Sequence, residues 1–173
     1  PPDADSEHLL SRRDTGERLR GHPVPVTEIR AGIIVGPGSA AFEVMRDLVL
    51  HLPVMITPRW VRAVSTPIAL DNLIHYLVEA PRVPEMAGGV YDAAGPDTLT
   101  YESMMRGICR ILGRREPWII PVPVLSPELS AYWLKFVTAV PANIARALIG
   151  GLKHDFIADA AAIKSLLTGK FAV

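Results

Sequence analysis

Three features that would assign a chain quickly to a class of protein are scarce or missing here. Cys109 is the single cysteine, so an internal disulfide is excluded and a buried structural thiol in a cytosolic protein is the favoured interpretation. The 18 Lys and Arg balance 18 Asp and Glu, which gives no basic surface of the kind that binds nucleic acid. No apolar run reaches the roughly 18 residues of a membrane-spanning helix. We therefore expect a cytoplasmic protein with no nucleic-acid partner and no membrane span.

Apolar residues, in contrast, are abundant, at 49% of the 173 residues. Their spacing predicts helices over residues 6–20, 39–52, 72–80 and 101–112, and strands over residues 24–35 and 89–94. Ser6, Ser39, Asp71 and Thr100 are the expected N-caps, and Gly113 the expected C-terminal stop. Alternating strands and helices predict an α/β fold.

The pattern within two of these helices predicts which side chains are buried. Phe42, Met45 and Val49 form the expected buried stripe of the helix over residues 39–52. The helix that follows Thr100 has Met104, Ile108, Ile111 and Leu112 on one predicted face. Between these helices, Pro53, Pro58 and Pro67 argue against any long element in residues 53–70.

The composition changes after Gly113, which predicts a division into residues 1–113 and a mostly helical region over residues 114–173. Two short helices are expected there, with Pro127 and Pro141 in their first turns. Aromatic and aliphatic side chains line one side of the first: Leu129, Tyr132, Trp133 and Phe136. Internal packing, the wall of an apolar substrate pocket and a subunit contact all remain open for this stripe.

The number of recognisable strands is too small for the predicted sheet. Residues 31–35 carry no polar side chain, which is typical of a central parallel strand covered on both faces. Such a strand needs neighbours, yet only one other strand is recognised. We therefore expect that this chain is the second part of a larger α/β domain, or that another chain completes its sheet through self-association.

Gly36, Gly38 and Ala41 form a Gly-x-Gly-x-x-Ala pattern between a strand and a helix, the arrangement of a dinucleotide phosphate-binding turn. Two observations weigh against a phosphate there. Residues 54–62 lack the acidic residue that binds the ribose in such motifs, and Pro37 has no N–H to donate. An ordinary strand-to-helix turn capped by Ser39 is the favoured alternative.

Five segments together carry a resemblance to a known superfamily over most of residues 6–133. They are HLLSRRDTGERLR, PVTEIRAGIIVGPGSAAFE, LPVMITPRWVRAVSTPIALDNLIHYLVEA, GGVYDAAGPDTLTYESMMRGICRILGR and IIPVPVLSPELSAYW. They resemble the C-terminal half of the extended and atypical short-chain dehydrogenase/reductase superfamily, in particular NmrA-like and NAD-dependent epimerase/dehydratase-like proteins. The resemblance implies part of a Rossmann-like doubly wound parallel sheet, with the nucleotide-binding half upstream and a small helical substrate-side region at the C-terminus.

The resemblance also implies where a cofactor and a substrate would lie. IRAGIIVGP matches the superfamily pattern LRPxxVYGP, which places Ala31, Gly32 and Ile33 beside the nicotinamide of NAD or NADP. A small organic substrate would then lie against residues 39–66 and 120–150, with Phe42 and Trp60 as its expected contacts. A structural role for Trp60 in anchoring a loop is an equally good interpretation.

The superfamily's catalytic Tyr-x-x-x-Lys motif is changed in this sequence, where the matching register is His8-Leu9-Leu10-Ser11-Arg12. His8 can act as a general acid or base near neutral pH, and Arg12 can bind ribose hydroxyls. The alternative is a degenerate site in a cofactor-binding redox sensor or a structural accessory subunit. Use of the chain as a scaffold module is a third interpretation. No metal site is expected, because His51, His75 and His154 lack ligand spacing.

Overall fold

The computed structural model describes residues 7–122 and 155–167. The helices are α1 Glu7–Arg20, α2 Ala40–His51, α3 Leu70–Glu79, α4 Tyr101–Ile111 and α5 Ala161–Leu166. The strands are β1 Glu28–Ala31, β2 Ile34–Val35, β3 Val54–Pro58, β4 Val64–Ser65, β5 Ile68–Ala69, β6 Val90–Ala93, β7 Leu99–Thr100 and β8 Trp118–Val122. Short 3₁₀ helices span Arg59–Arg62, Ala80–Arg82 and Pro84–Met86. The predicted Ser6 cap and the helices expected after Pro127 and Pro141 fall outside the described residues.

The strands form four pairs, of which three are parallel. β1 pairs with β6, so that Glu28 lies opposite Val90 and Ala31 opposite Ala93. β2 pairs with β5 and β3 pairs with β8, also in parallel, whereas β4 and β7 are antiparallel. Parallel strands need crossover connections, and helices lie in the connections between these partners. The described chain is therefore a mixed α/β structure, as the alternation of elements predicted.

The single strand predicted over residues 24–35 is wrong in its extent. It starts only at Glu28, and it is interrupted at Gly32 and Ile33, so that β1 and β2 pair with different partners. Ile33 is buried in the core and its carbonyl accepts a hydrogen bond from the Ile68 amide at 2.9 Å. The apolar residues 31–35 are therefore divided between two strands. The spacing of apolar residues along the chain does not predict this division, because it depends on contacts with distant residues.

Several strands were not recognised in the sequence, because β4, β5 and β7 have only two residues each and because β3 and β8 contain proline. β3 and β8 end in the in-register pairs Thr57 with Pro121 and Pro58 with Val122. Proline has no backbone N–H to donate to a neighbouring strand. It is therefore tolerated in a strand that has one unpaired edge. The prolines of residues 53–70 do prevent long elements, but they leave room for β3, β4 and β5.

Helix ends agree with the predictions at three of four positions. Ser39 accepts a hydrogen bond from the Phe42 amide at 3.5 Å, Thr100 accepts one from the Ser103 amide at 3.0 Å, and Gly113 has a φ of 62° after α4. The predicted Asp71 cap is wrong. α3 begins directly after β5 with Ala69 as N-cap, so Asp71 lies in the first turn, where its charge favours the positive end of the helix dipole.

The core consists of two clusters. The first joins α3, β5, β6 and α5 around Ile68, Tyr76 and Ile163. The second joins α2, β3 and α4, and it includes the fully buried Cys109, as predicted for the single thiol. The predicted face of α4 is partly wrong, because Ile111 is 86% exposed while Tyr101 and Met105 are buried. None of the helices in residues 7–122 and 155–167 is long and apolar enough to cross a membrane.

Candidate functional site at the carboxyl end of β1

α1 is held against β1 by a contact between Gly16 and Glu28. A Cβ at Gly16 would lie 2.8 Å from the Glu28 Oε2 atom, so the glycine lets this carboxylate lie close against the helix. Arg20 of α1 forms an ion pair with the same carboxylate, and Arg30 Nε approaches its Oε1 atom at 2.8 Å. Both guanidinium groups therefore neutralise Glu28, and the ion pair with Arg20 joins the helix to the strand.

His8 and Arg12 lie four and eight residues before Gly16 on α1, so all three positions fall on one stripe of the helix. Arg12 is exposed, and the side chain of His8 is outside the described atoms. The hydrogen bonds and ion pairs seen among the described residues do not join this stripe to Ala31, Gly32 or Ile33. Positions 8 and 12 of the predicted catalytic pair thus lie on the same stripe of the α1 backbone as Gly16, and their catalytic role stays a prediction.

The predicted cofactor contact lies at the break between β1 and β2. Gly32 is exposed, Ala31 is half-buried, and the side chain of Ile33 packs in the second core cluster. A Cβ at Gly32 would lie 3.3 Å from the Ser65 Oγ atom. The backbone of Gly32, rather than the Ile33 side chain, is therefore the surface that this break offers to a ligand.

Ser65 is a polar residue at this break that sequence reasoning missed. It is fully buried, and its hydroxyl has no hydrogen-bond partner in the described structure. An unsatisfied buried hydroxyl costs roughly 1–3 kcal/mol, so it is an unusual choice for a packing residue. No local signal marks Ser65 in the sequence, because its position follows from the pairing of β4 with β7 and from the approach of Gly32.

The glycine turn before α2 is organised as a helix cap. Gly38 has a φ of 81°, which glycine adopts without strain, and its amide donates to the Glu43 carboxylate at 3.2 Å. The Ser39 hydroxyl accepts a hydrogen bond from the Phe42 amide at the N-terminus of the helix. Both a serine and an acidic side chain therefore occupy the donors that a phosphate would use, which supports the ordinary turn over a phosphate site.

The predicted substrate contacts are further along the chain. Phe42 is half-buried on the first turn of α2, one turn before the buried Met45. Trp60 belongs to the 3₁₀ helix Arg59–Arg62, which packs against β3 and α4, and its side chain is outside the described atoms. No group of three or more His, Cys, Asp or Glu residues within the described ranges is arranged to hold a metal ion.

A second polar contact ties the C-terminal segment to the sheet beside Ser65. The Val64 amide donates to the Asp155 carboxylate at 2.9 Å, and the Phe156 amide donates to the Val64 carbonyl at 2.9 Å. Tyr101 is buried nearby, and its pKa is raised by burial and further by the negative charge of Asp155. Both causes disfavour the phenolate in the folded state.

We expect the folded chain to lose stability in alkaline solution through Tyr101. Its pKa is raised in the folded state, so the stabilisation is fully present below the unfolded pKa of about 10 and is lost as the pH rises above it. Urea titrations between pH 9 and pH 12 should show a smaller loss of unfolding free energy for Tyr101→Phe than for the wild type. The residual loss is assigned to Tyr76 and Cys109, whose pKa values burial also raises. Equal slopes for the two proteins would contradict this role of Tyr101.

Comparison with known proteins gives the fold. No family model matches the sequence, and no curated protein matches it significantly. A nucleoside-diphosphate-sugar epimerase from Staphylococcus aureus aligns with a TM-score of 0.69 and 13% identity, covering 93% of this chain and 54% of that one. An NADPH-dependent quinone oxidoreductase from Escherichia coli, solved with NADPH, aligns with a TM-score of 0.66 and 18% identity, covering 89% and 52%.

A third solved structure extends the likeness. UDP-glucuronic acid 4-epimerase from Bacillus cereus, in complex with UDP-glucuronic acid and NAD, aligns with a TM-score of 0.58 and 15% identity, covering 92% of this chain and 46% of that one. The chain thus spans about half the length of the solved structures that it matches. The described chain therefore shares the α/β fold of these solved structures.

Proposed function

We propose that this chain is the C-terminal portion of an NAD(P)-binding, oxidoreductase-like protein of the short-chain dehydrogenase/reductase superfamily, which acts on a small organic substrate. In this proposal, residues outside the chain supply the nucleotide-binding half of the sheet. The observation that carries it is β1, which pairs only with β6 among the described residues and is followed directly by the exposed Gly32. The unpaired edge of a strand presents N–H and C=O groups that can pair with a further strand.

The register of α1 on β1 supports roles for His8 and Arg12. Gly16 and Arg20 meet Glu28 at the start of β1, and residues 21–27 form a short connection between the two elements. In a strand-and-helix layer of this type, the helix runs antiparallel to the following strand. His8 lies about 12 Å before Gly16 along the helix axis, and Gly32 lies about 13 Å after Glu28, so both approach the same end of β1.

The residues at this end have the properties that the proposed chemistry needs. When bound, NAD or NADP supplies or accepts a hydride. The Gly32 backbone is exposed, so with Ala31 and the Ile33 main chain it can lie flat against the nicotinamide. His8 exchanges a proton with the substrate oxygen, and Arg12 donates hydrogen bonds to the ribose hydroxyls.

The substrate is proposed to lie on the side of α2 and residues 59–62, with Phe42 and Trp60 as contacts. Phe42 is half-buried and therefore keeps part of its ring surface available to a ligand. Residues 114–173 are proposed to form the remainder of this substrate side, apart from the Rossmann-like portion in residues 1–113.

A second candidate function is a cofactor-binding protein without catalysis, either a redox sensor or a structural accessory subunit. One observation favours it specifically: both positions of the superfamily's Tyr and Lys are changed, to His8 and Arg12. In that case the Gly32 surface still binds the dinucleotide, but no proton is exchanged on α1.

Cofactor binding tests both candidates. We expect the intact protein, with its natural flanking sequence, to bind NADH or NADPH when nicotinamide fluorescence is followed during titration. The 173-residue chain is expected to bind either cofactor more weakly than the micromolar range, because it lacks the phosphate-binding half. The absence of binding to the intact protein would overturn both candidates, and micromolar binding by the isolated chain would overturn the assignment of the phosphate site to residues outside it.

A further inference from the structure

One edge of β1 is open among the described residues. The Glu28 amide donates to the Gly89 carbonyl at 2.9 Å, so the backbone groups of Glu28 face β6. Successive residues of a strand direct their N–H and C=O groups to opposite edges, so those of Ile29 and Ala31 face away from β6. β1 pairs with no other strand in the described part of the chain, and these groups therefore form an open edge.

The same edge stays open along β2. The amide of Gly95, just after β6, donates to the carbonyl of Pro67, just before β5, at 2.9 Å. β5 and β6 therefore follow one another along the same side of β1 and β2. No strand within residues 7–122 and 155–167 lies on the opposite side.

An extra residue at Gly32 interrupts this edge. Side chains alternate along a regular strand, yet Ala31 and Ile34, three residues apart, both pack against the first core cluster. Ile33, between them, lies in the second core cluster. Gly32 therefore acts as a β-bulge, which disrupts a ladder locally. A strand that enters beside β1 is thus expected to pair with Ile29 and Ala31 and to leave the register at Gly32.

An apolar flank of α3 points to the same open edge. Leu70 follows β5 and reaches across to the end of β2, because a Cβ at Gly36 would lie 2.6 Å from the Leu70 Cβ atom. Ile74 and Leu77 lie on the flank of Leu70 through their i, i+4, i+7 spacing, and they are 47% and 55% exposed. Since β2 lies between β5 and the open edge, this flank of α3 faces the open edge.

A strand and its covering helix fit both features. Open backbone groups take a further strand, and helices cover the faces of parallel sheets. α1 precedes β1 and is joined to it by the ion pair of Arg20 with Glu28. A helix in this place connects two parallel strands, of which β1 is the second.

The partner strand is more readily supplied by the same protein than by a second copy of this chain. The chain covers only 46% to 54% of the solved structures that it matches, so a comparable upstream half would have room for such a strand. A second copy would present the same four-residue edge interrupted at Gly32, which is short for a ladder between molecules.

We propose that the open edge of β1 and the flank of α3 formed by Leu70, Ile74 and Leu77 are one docking surface. A parallel strand upstream of α1 pairs with Ile29 and Ala31, and a helix of the same upstream half packs on Ile74 and Leu77. This inference rests on the proposed function for the existence of that half, but it does not depend on cofactor binding.

Hydrogen exchange of single amides in the intact protein, without cofactor, tests the strand pairing. Arg30 is the internal control, because its amide faces β6 in the same strand. The amides of Ile29 and Ala31 are expected to exchange less than about tenfold faster than that of Arg30, at every protein concentration. A larger difference would show that the edge is open and would overturn the proposal. Protection that is lost on dilution would overturn it as well and assign the edge to a second copy.

Photo-cross-linking tests the helix contact and identifies the partner. Benzoylphenylalanine replaces Leu77 in the intact protein, and the cross-linked peptides are mapped by mass spectrometry. A cross-link to a peptide upstream of α1 is expected. The matched control places the same group at Ile111, which is exposed on α4, and should give little of this product. Cross-links from position 77 to residues 1–173 only, in the same or a second copy, or an equal yield from position 111, would contradict the docking surface.

These measurements separate the docking surface from the proposed function. An intact protein that passes both tests but binds neither NADH nor NADPH would retain the docking surface and lose the proposed function. An intact protein that binds a cofactor but fails either test would retain the proposed function and lose the docking surface.

Discussion

Gly95→Ala is expected to lower the free energy of unfolding by about 3 kcal/mol or more, the largest effect of any single methyl group added to this fold. A Cβ at Gly95 would overlap the carbonyl oxygen of Pro67, which also accepts the Gly95 amide at 2.9 Å. Both segments are backbone and both continue into the core, through the buried Ala94 and Ile68. Neither can move away without opening the first core cluster.

The matched control for this substitution is Gly107→Ala in α4. No heavy atom outside the helix lies within 4 Å of a Cβ at Gly107, so the added methyl meets open space. Alanine has the higher helix propensity, and the substitution is expected to stabilise the chain by about 0.5–1 kcal/mol. Urea denaturation followed by circular dichroism measures both. A Gly95→Ala chain as stable as Gly107→Ala would show that β5 and β6 do not approach as the structure indicates.

His8→Ala is expected to reduce kcat of the intact protein by about 10²- to 10⁴-fold, the usual contribution of a general acid or base. The cofactor Kd should change little, because His8 is proposed to act on the substrate oxygen. Arg12→Ala is expected to raise the cofactor Kd, because the contact with the ribose is lost, and to change kcat less than His8→Ala does. Steady-state kinetics with a turned-over substrate, together with cofactor titration, separates the two roles.

Arg13→Ala is the control on the same helix. Its side chain is half-exposed and its distance from Glu17 is 3.9 Å, so its loss should leave both kcat and the cofactor Kd unchanged. Unchanged turnover in His8→Ala would refute the acid/base role. If the intact protein binds cofactor but turns over no substrate with either His8 or a restored tyrosine at position 8, the sensor or accessory-subunit interpretation is favoured.

The features that were predicted correctly are local. Ser39 and Thr100 cap their helices and Gly113 ends one, because a cap depends on the few residues that follow or precede it. The parallel α/β character also follows from local patterns, since each helix and strand has its own period. The burial of Cys109 agrees with its place on the apolar side of α4.

The candidate site could be predicted only in part. The sequence register proposes His8, Arg12 and the Gly32 break, but it does not show that α1 is fixed on β1 by Gly16 and Glu28. Ser65 has no sequence signal at all, because its burial beside Gly32 depends on strands that meet from distant parts of the chain. Cofactor and substrate contacts at these residues stay predictions.

Residue type and spacing were thus sufficient to define the α/β class, the helix ends and the resemblance that suggests a nicotinamide cofactor. Pairing between distant segments defined the rest: the division of the first strand at Gly32, the strands β3 and β8, and the exposure of Ile111 on a face expected to be buried. The physical reason is that caps and periodicity are fixed by neighbours along the chain. Strand register and burial depend on which segments meet in space, and a two- to five-residue strand carries too little sequence to specify its partner.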